Sequence, residues 1–387
     1  MVQARFTHFP MIDVLRGFAA LSVLVYHVIE HFRWTAFPDN GPLVWFRLGW
    51  QGVDLFFVIS GFVIALSAFA LIDRVGESGF RLPFLLRRLA RIVPLHYLTC
   101  FVFVAFIAPG LILHPGIWAH FVSHLLFFHN LSTEWQGSIN GVNWSLGTEM
   151  QFYLLILVLA PWLRRCRWWL IPALALPVTW AWRAAAVALV PIDGPAGPFP
   201  LFVAATQLPG MLDEFAAGIL LARALRSDAA LGRLRIAFRL PVLPILAAAA
   251  ACWGTLSLFW PHASYWDHPG MVIFWRTALA ASCGLVVLAA CCLRGQPVLR
   301  LTWPLRYLGT ISYGIYLWHL PVIESVKRVT WIGPDTALWL VLGLTVLLAA
   351  GSWHFFESGF VKRVHGMQLR MPGWAWPVRA QLARRLA

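Results

Sequence analysis

A chain of 387 residues with 60% hydrophobic content and only 12% charged residues is a polytopic membrane protein, not a soluble one. Its formal net charge of +14 would suit nucleic acid, but the basic residues fall between apolar runs. That is a positive-inside pattern, which excludes nucleic acid as a partner and points to membrane lipid instead. Arg supplies all but two of the 30 basic residues, and the 22 Trp suit anchoring at the bilayer interfaces.

In chain order, hydropathy predicts ten spans, near 12–30, 50–72, 90–110, 143–163, 168–190, 201–226, 241–260, 271–293, 307–326 and 336–356. The first apolar run is span-length and carries Asp13 and Arg16, so it is read as a span and not as a cleavable signal. The stretch 117–131 (IWAHFVSHLLFFHNL) is a further apolar run, and charge decides against its crossing. If it crossed, Arg164, Arg165 and Arg167 would lie outside and a loop without Lys or Arg would lie inside. Ten spans put both termini in the cytoplasm. Only Arg33, Arg47, Lys327 and Arg328 then lie outside, with Arg183 and Arg276 inside spans. Residues 363–387 form a basic tail with interleaved Trp and Pro, expected on the anionic inner leaflet. The six cysteines (Cys100, Cys166, Cys252, Cys283, Cys291 and Cys292) sit in or beside spans without zinc-type spacing. Neither a disulfide framework nor a metal site is expected. The adjacent Cys291 and Cys292 are weak candidates for acyl carriers.

The polar groups buried in spans carry the chemistry. An ionisable group within a span costs roughly 2.5–3.5 kcal/mol on insertion scales, so it usually faces a bundle interior or a wet cavity. In IDVLRGFAALSVLVYHVIE, Arg16 and His27 are eleven residues apart, about 16 Å along a helix and within about 20° of one face. Arg88 and Arg91 share a face at the inner end of the third span, and with Arg16 they suit a phosphate-bearing ligand. The plain alternative for each of these two is a positive-inside anchor. Toward the outer surface, His27, Asp54, Glu149 and His319 are expected at similar depth. A histidine beside carboxylates is the usual equipment of a general base. The alternative is that each only satisfies a buried neighbour. Asp213 and Glu214 follow a Pro-Gly break and are candidates for lining an acceptor path. Ser60-Gly61 reads as close helix packing; a nucleophilic Ser60 lacks an obvious base.

Five stretches resemble the acyltransferase 3 family of membrane-bound O-acyltransferases: IDVLRGFAALSVLVYH, GVDLFFVISGFVI, RRLARIVPLHY, NWSLGTEMQFY and SYGIYLWHLP. They stand in the family's order across nearly the whole chain. The resemblance implies an all-α polytopic acyltransferase domain over residues 1–362 in a bacterial inner membrane. It implies acyl transfer, commonly acetyl from acetyl-CoA, to a hydroxyl of an envelope glycan, a lipid-linked sugar or a small metabolite. Carried over by position, Arg16 and His27 fit its arginine-to-histidine motif, Arg88 and Arg91 its RxxR element, and Glu149 its WSLxxE element. Two features depart from the family. The last span ends FFESGF, so Glu357 matches only in part, and this sequence carries no SGNH-type domain. The membrane domain is therefore expected to transfer unaided or to hand the group to a partner.

On this reading Arg16, Arg88 and Arg91 bind acyl-CoA, and the thioester reaches His27, the general base. Glu149 orients the imidazole or positions the acceptor, and no metal takes part. Asp13, Asp54, Trp144, Ser145, Tyr153, Tyr313 and His319 are candidate acceptor-site or supporting residues. The rival is a transporter or flippase for a lipid-linked sugar or proton-coupled solute, which would use the same buried charges. Acyl-CoA binding discriminates between the two.

Overall fold

A computed structural model describes residues 9–262, 264–293 and 296–369, and among these every regular element is helical. In lipid the backbone must satisfy its own hydrogen bonds, which is why apolar sequence of this length folds as helices. The chain runs α1 (Pro10–His31), α2 (Gly52–Gly79), α3 (Arg81–Val102), α4 (Ile117–Leu125), α5 (Trp144–Arg165) and α6 (Leu170–Leu189). It continues through α7 (Phe199–Ala205), α8 (Leu212–Ala224), α9 (Asp228–Arg239), α10 (Val242–Phe259), α11 (Arg276–Cys292) and α12 (Gln296–Leu301). It ends with α13 (Trp303–Thr310), α14 (Ser312–Lys327), α15 (Pro334–Ser352) and α16 (Ser358–Leu369).

Among the described residues, eight helical stretches are long and apolar enough to cross a bilayer. They match the predicted spans except 201–226 and 307–326, which are each built from two shorter helices. The first is broken between α7 and α8 by a turn at Leu208–Met211, where Pro209 removes a backbone donor. The second is broken between α13 and α14 at Ile311. Helix α4 has nine residues, well short of the roughly 20 a crossing needs, so 117–131 forms part of a layer on the bundle. Most of the predicted basic tail, from residue 370, lies outside the described residues.

Helices in lipid associate by close packing, because the tails around them are as apolar as their side chains. A close crossing joins α2 to α8. A Cβ added at Gly61 would fall 2.2 Å from the Phe215 carbonyl oxygen, and one at Gly218 2.1 Å from that of Val58. Beside this crossing Phe152 of α5 stacks on Phe215 at 4.0 Å between ring centroids. This packing brings the polar face of α2 toward α5 and α3.

Candidate active site

Helices α1, α2, α3, α5 and α14 enclose a chamber with a free volume of about 870 Å³, its mouth included. Arg16, Arg88 and Arg91 line it together with Ser60, Glu149 and Tyr153, while Ser145, Tyr313 and Tyr316 form part of the wall. The Arg16 side chain keeps 30% exposure, which marks an open end, and its nearest carboxylate is Asp13 at 4.0 Å. Arg91 donates to the Thr310 carbonyl at 3.1 Å, reaches Glu357 at 3.4 Å and lies 4.5 Å over the Trp353 ring. Arg88 makes a long contact to Ser67 Oγ at 3.4 Å, and its buried Nε has no hydrogen-bond partner. Guanidinium groups held this loosely in a cavity present free donors to an incoming anion.

Glu149 forms the opposite pole. Its Oε1 accepts from Ser60 Oγ at 2.7 Å and from Tyr153 OH at 2.6 Å. Tyr153 follows Glu149 by four residues on α5 and so lies one turn along the same face. Ser60 comes from α2, eighty-nine positions away in sequence.

His27 does not line the chamber. It pairs with His319 of α14, Nδ1 to Nε2 at 3.0 Å, with ring centroids 5.0 Å apart. The neighbours fix the tautomers. The Ile315 carbonyl can only accept, so His319 Nδ1 carries the hydrogen that donates to it at 3.2 Å. The neutral His319 therefore has a bare Nε2, and His27 Nδ1 must donate to it. That leaves the lone pair of His27 on Nε2, the protonation state a base requires. Further out, His31 Nδ1 donates to Glu324 Oε1 at 2.9 Å. Tyr316 links the two regions: it lines the chamber, its ring lies 5.8 Å from that of His319, and its hydroxyl donates to the Val142 carbonyl at 2.9 Å. Ser145 Oγ is 2.8 Å from the same hydroxyl.

Several expected neighbours are apart. Glu149 bonds Ser60 and Tyr153, and the partner that orients His27 is His319. Asp54 does not join His27: it is buried and accepts from Arg276 at 3.0 Å. Asp54 and Ser60 are six residues apart on α2, about 240° around the helix, so they look into different spaces. Asp213 and Glu214 do not line the chamber either. Asp213 is sealed against Arg183 at 2.9 Å and Thr277 at 2.6 Å, and Arg183 also binds the Gly210 carbonyl at the helix break. Glu214 is fully buried beside it. Trp144 packs edge-on against Phe57 and Phe202. Tyr313 donates to the Ile92 carbonyl at 2.6 Å. Among the described residues, no cluster of His, Cys, Asp and Glu is arranged to hold a metal.

A model described as an acyltransferase domain matches residues 9–356. The chain belongs to the acyltransferase 3 family. Among relatives of this family, YrhL of Bacillus subtilis is 31% identical over 91% of this chain and 54% of its own length. The peptidoglycan O-acetyltransferase OatA of Listeria monocytogenes is 27% identical over 93% of this chain and 57% of its own. The exopolysaccharide production protein ExoZ of Rhizobium meliloti is 27% identical over 82% of this chain and 91% of its own. The chain thus spans a little over half the length of the first two and most of the third. No solved structure matches it. Within the acyltransferase 3 motifs, sequence reasoning missed the Ser60–Glu149 bond, because nothing local reports which base faces a serine across two helices.

Proposed function

We propose that the protein is a multi-pass O-acetyltransferase of the bacterial inner membrane. It takes the acetyl group of acetyl-CoA from the cytoplasmic side and places it on a hydroxyl of a cell-envelope glycan. The names of OatA and ExoZ, peptidoglycan and exopolysaccharide proteins, favour a glycan over a lipid-linked sugar or small metabolite. The observation that carries the reading is the pairing of a three-arginine chamber with a histidine whose Nε2 is left free to accept a proton.

In this mechanism Arg16, Arg88 and Arg91 hold the donor's phosphates, each charge-assisted bond contributing about 1.5–3 kcal/mol. The pantetheine arm lies in the chamber between Ser60 and Tyr316. His27 Nε2 takes the proton of the acceptor hydroxyl as its oxygen attacks the acyl carbonyl. His319 accepts from His27 Nδ1, so the ring keeps one tautomer and the imidazolium is stabilised. General-base help of this kind is worth roughly 10²–10⁴-fold.

The test is transfer of radiolabelled acetyl from acetyl-CoA in membranes containing wild type or His27→Ala, with label followed into glycan, lipid and soluble fractions. Label in the glycan fraction that disappears in the variant supports the reading. A purified protein that neither binds acetyl-CoA nor transfers from it would favour a transporter on the same scaffold.

A further inference from the structure

The residues lining the chamber include no histidine and no cysteine, and the one carboxylate among them is Glu149. A thioester bound there would lie in the same cavity as Glu149, whereas His27 lies outside the wall, beyond Tyr316. Three serines face the space. Ser145 is tied to Tyr316, and the Ser312 hydroxyl is buried without a hydrogen-bond partner. Ser60 alone donates to a carboxylate, at 2.7 Å, and that carboxylate is fixed by a third group, Tyr153 OH, at 2.6 Å. A nucleophile, its base and an orienting group within hydrogen-bond reach are the structural signature of covalent catalysis. Arg88 stands in the same wall with its Nε free, placed to bind negative charge that develops during acyl transfer.

We propose that Ser60 is a transient acyl carrier, with Glu149 as its base and Tyr153 as the positioning residue for that base. The inference rests on the acetyl-CoA reading above and adds a covalent step to it. In the first half, Ser60 Oγ attacks the thioester carbonyl while its proton passes to Glu149. The C–S bond breaks, and the departing sulfur takes the proton from Glu149, leaving acetyl-Ser60, free CoA thiol and the Glu149 carboxylate. In the second half the partition at Tyr316 yields, the acceptor hydroxyl attacks the serine ester and its proton passes to His27 Nε2. The C–O bond to Ser60 breaks, and the His27 imidazolium gives that proton to the departing Ser60 Oγ, restoring the neutral imidazole and the hydrogen bond to Glu149. No oxidant, reductant or metal is needed, and the donor can leave before the acceptor arrives.

The experiment uses purified full-length protein with radiolabelled acetyl-CoA and no acceptor, read by CoA thiol release and by mass spectrometry of the peptide containing Ser60. The expected result is about one acetyl per chain on Ser60, resistant to neutral hydroxylamine and cleaved by alkaline hydroxylamine, as an oxygen ester should be. The adduct persists in His27→Ala, which blocks only the second half. It is absent in Ser60→Ala and forms at least tenfold more slowly in Glu149→Gln. Ser60→Cys guards against a folding defect, because its adduct becomes a thioester sensitive to neutral hydroxylamine. Acetyl on another residue, or acceptor-dependent transfer without any Ser60 adduct in wild type and in His27→Ala, overturns the carrier while leaving the transferase reading intact. Failure to bind acetyl-CoA at all overturns both.

Discussion

Two sets of charges lie within one bundle, and they are finished differently. In the sealed set, Arg183 is fully buried and spends its donors on the Gly210 and Ile273 carbonyls, Thr277 and Asp213, while Arg276 meets Asp54 at 3.0 Å. In the chamber, Arg88 has a free Nε, Arg91 reaches its carboxylate at 3.4 Å, and the Arg16–Asp13 pair is 4.0 Å apart. Both sets are costly in a membrane. The first is tied into the protein at most of its donors, Arg276 Nε excepted, and holds α2, α6, α8 and α11 together across a broken helix. The second is left partly uncompensated around a cavity, as expected where a ligand completes the coordination. Mere presence of an intramembrane charge therefore says less than how closely its partners approach.

Substitutions can break this comparison. The largest effect expected is from His27→Ala, a roughly 10²–10⁴-fold loss of acetyl transfer with unchanged thermal stability. Next, Arg183→Met leaves Asp213 buried beside Thr277 without its cation. Breaking such a pair costs about 3–5 kcal/mol, visible as a lower unfolding temperature in detergent, while the folded fraction binds acetyl-CoA normally. Arg88→Met should do the opposite: donor affinity falls roughly 10–150-fold, the worth of one charge-assisted hydrogen bond, and stability holds. If both arginine variants lose stability equally, the distinction between the two sets fails.

Smaller effects sharpen the picture around the histidines. His319→Leu should lower kcat by up to about tenfold, one net hydrogen bond, without raising the KM for acetyl-CoA. His319→Gln, whose amide oxygen can accept from His27 Nδ1, should recover most of that loss; equal defects in the two variants would argue for packing alone. In the segment 117–131, burial pushes His124 down to about 3 and lowers His129 as well. Both stack on each other near His96 and His120. Unfolded, these rings titrate near 6.5, so below that pH the open state binds more protons and the closed layer loses stability. Hydrogen exchange across 117–131, corrected for its intrinsic rate, should therefore be faster at pH 5 than at pH 7, with α2, which carries no histidine, unaffected.

Much of this architecture was legible in the chain itself. Hydropathy located the spans because a bilayer demands about 20 apolar residues in a row, and the Pro209-Gly210 break was visible as an interruption of one of them. The motifs brought Arg16, Arg88, Arg91 and Glu149 forward, and these four share the chamber. Depth was legible, but azimuth between helices was not. Asp54 and Glu149 read as neighbours by their distance from helix ends, yet α2 turns Asp54 toward Arg276 and Ser60 toward Glu149. The His27–His319 pair spans 292 positions, and no periodicity within either helix encodes it.

Tyr316 carries a further consequence. With one side on a chamber that opens near Arg16 and the other near His319, its ring and that of Phe56, 6.2 Å away, are part of the partition between the chamber and the His27–His319 pair. A membrane that stores an ion gradient tolerates no continuous file of water through its proteins. On the proposed function the partition is dry at rest and yields only when the donor's arm fills the space, which would make Tyr316 an electrical insulator as much as a wall of the site. Its anchor on the Val142 carbonyl ties that insulation to the turn that leads into α5.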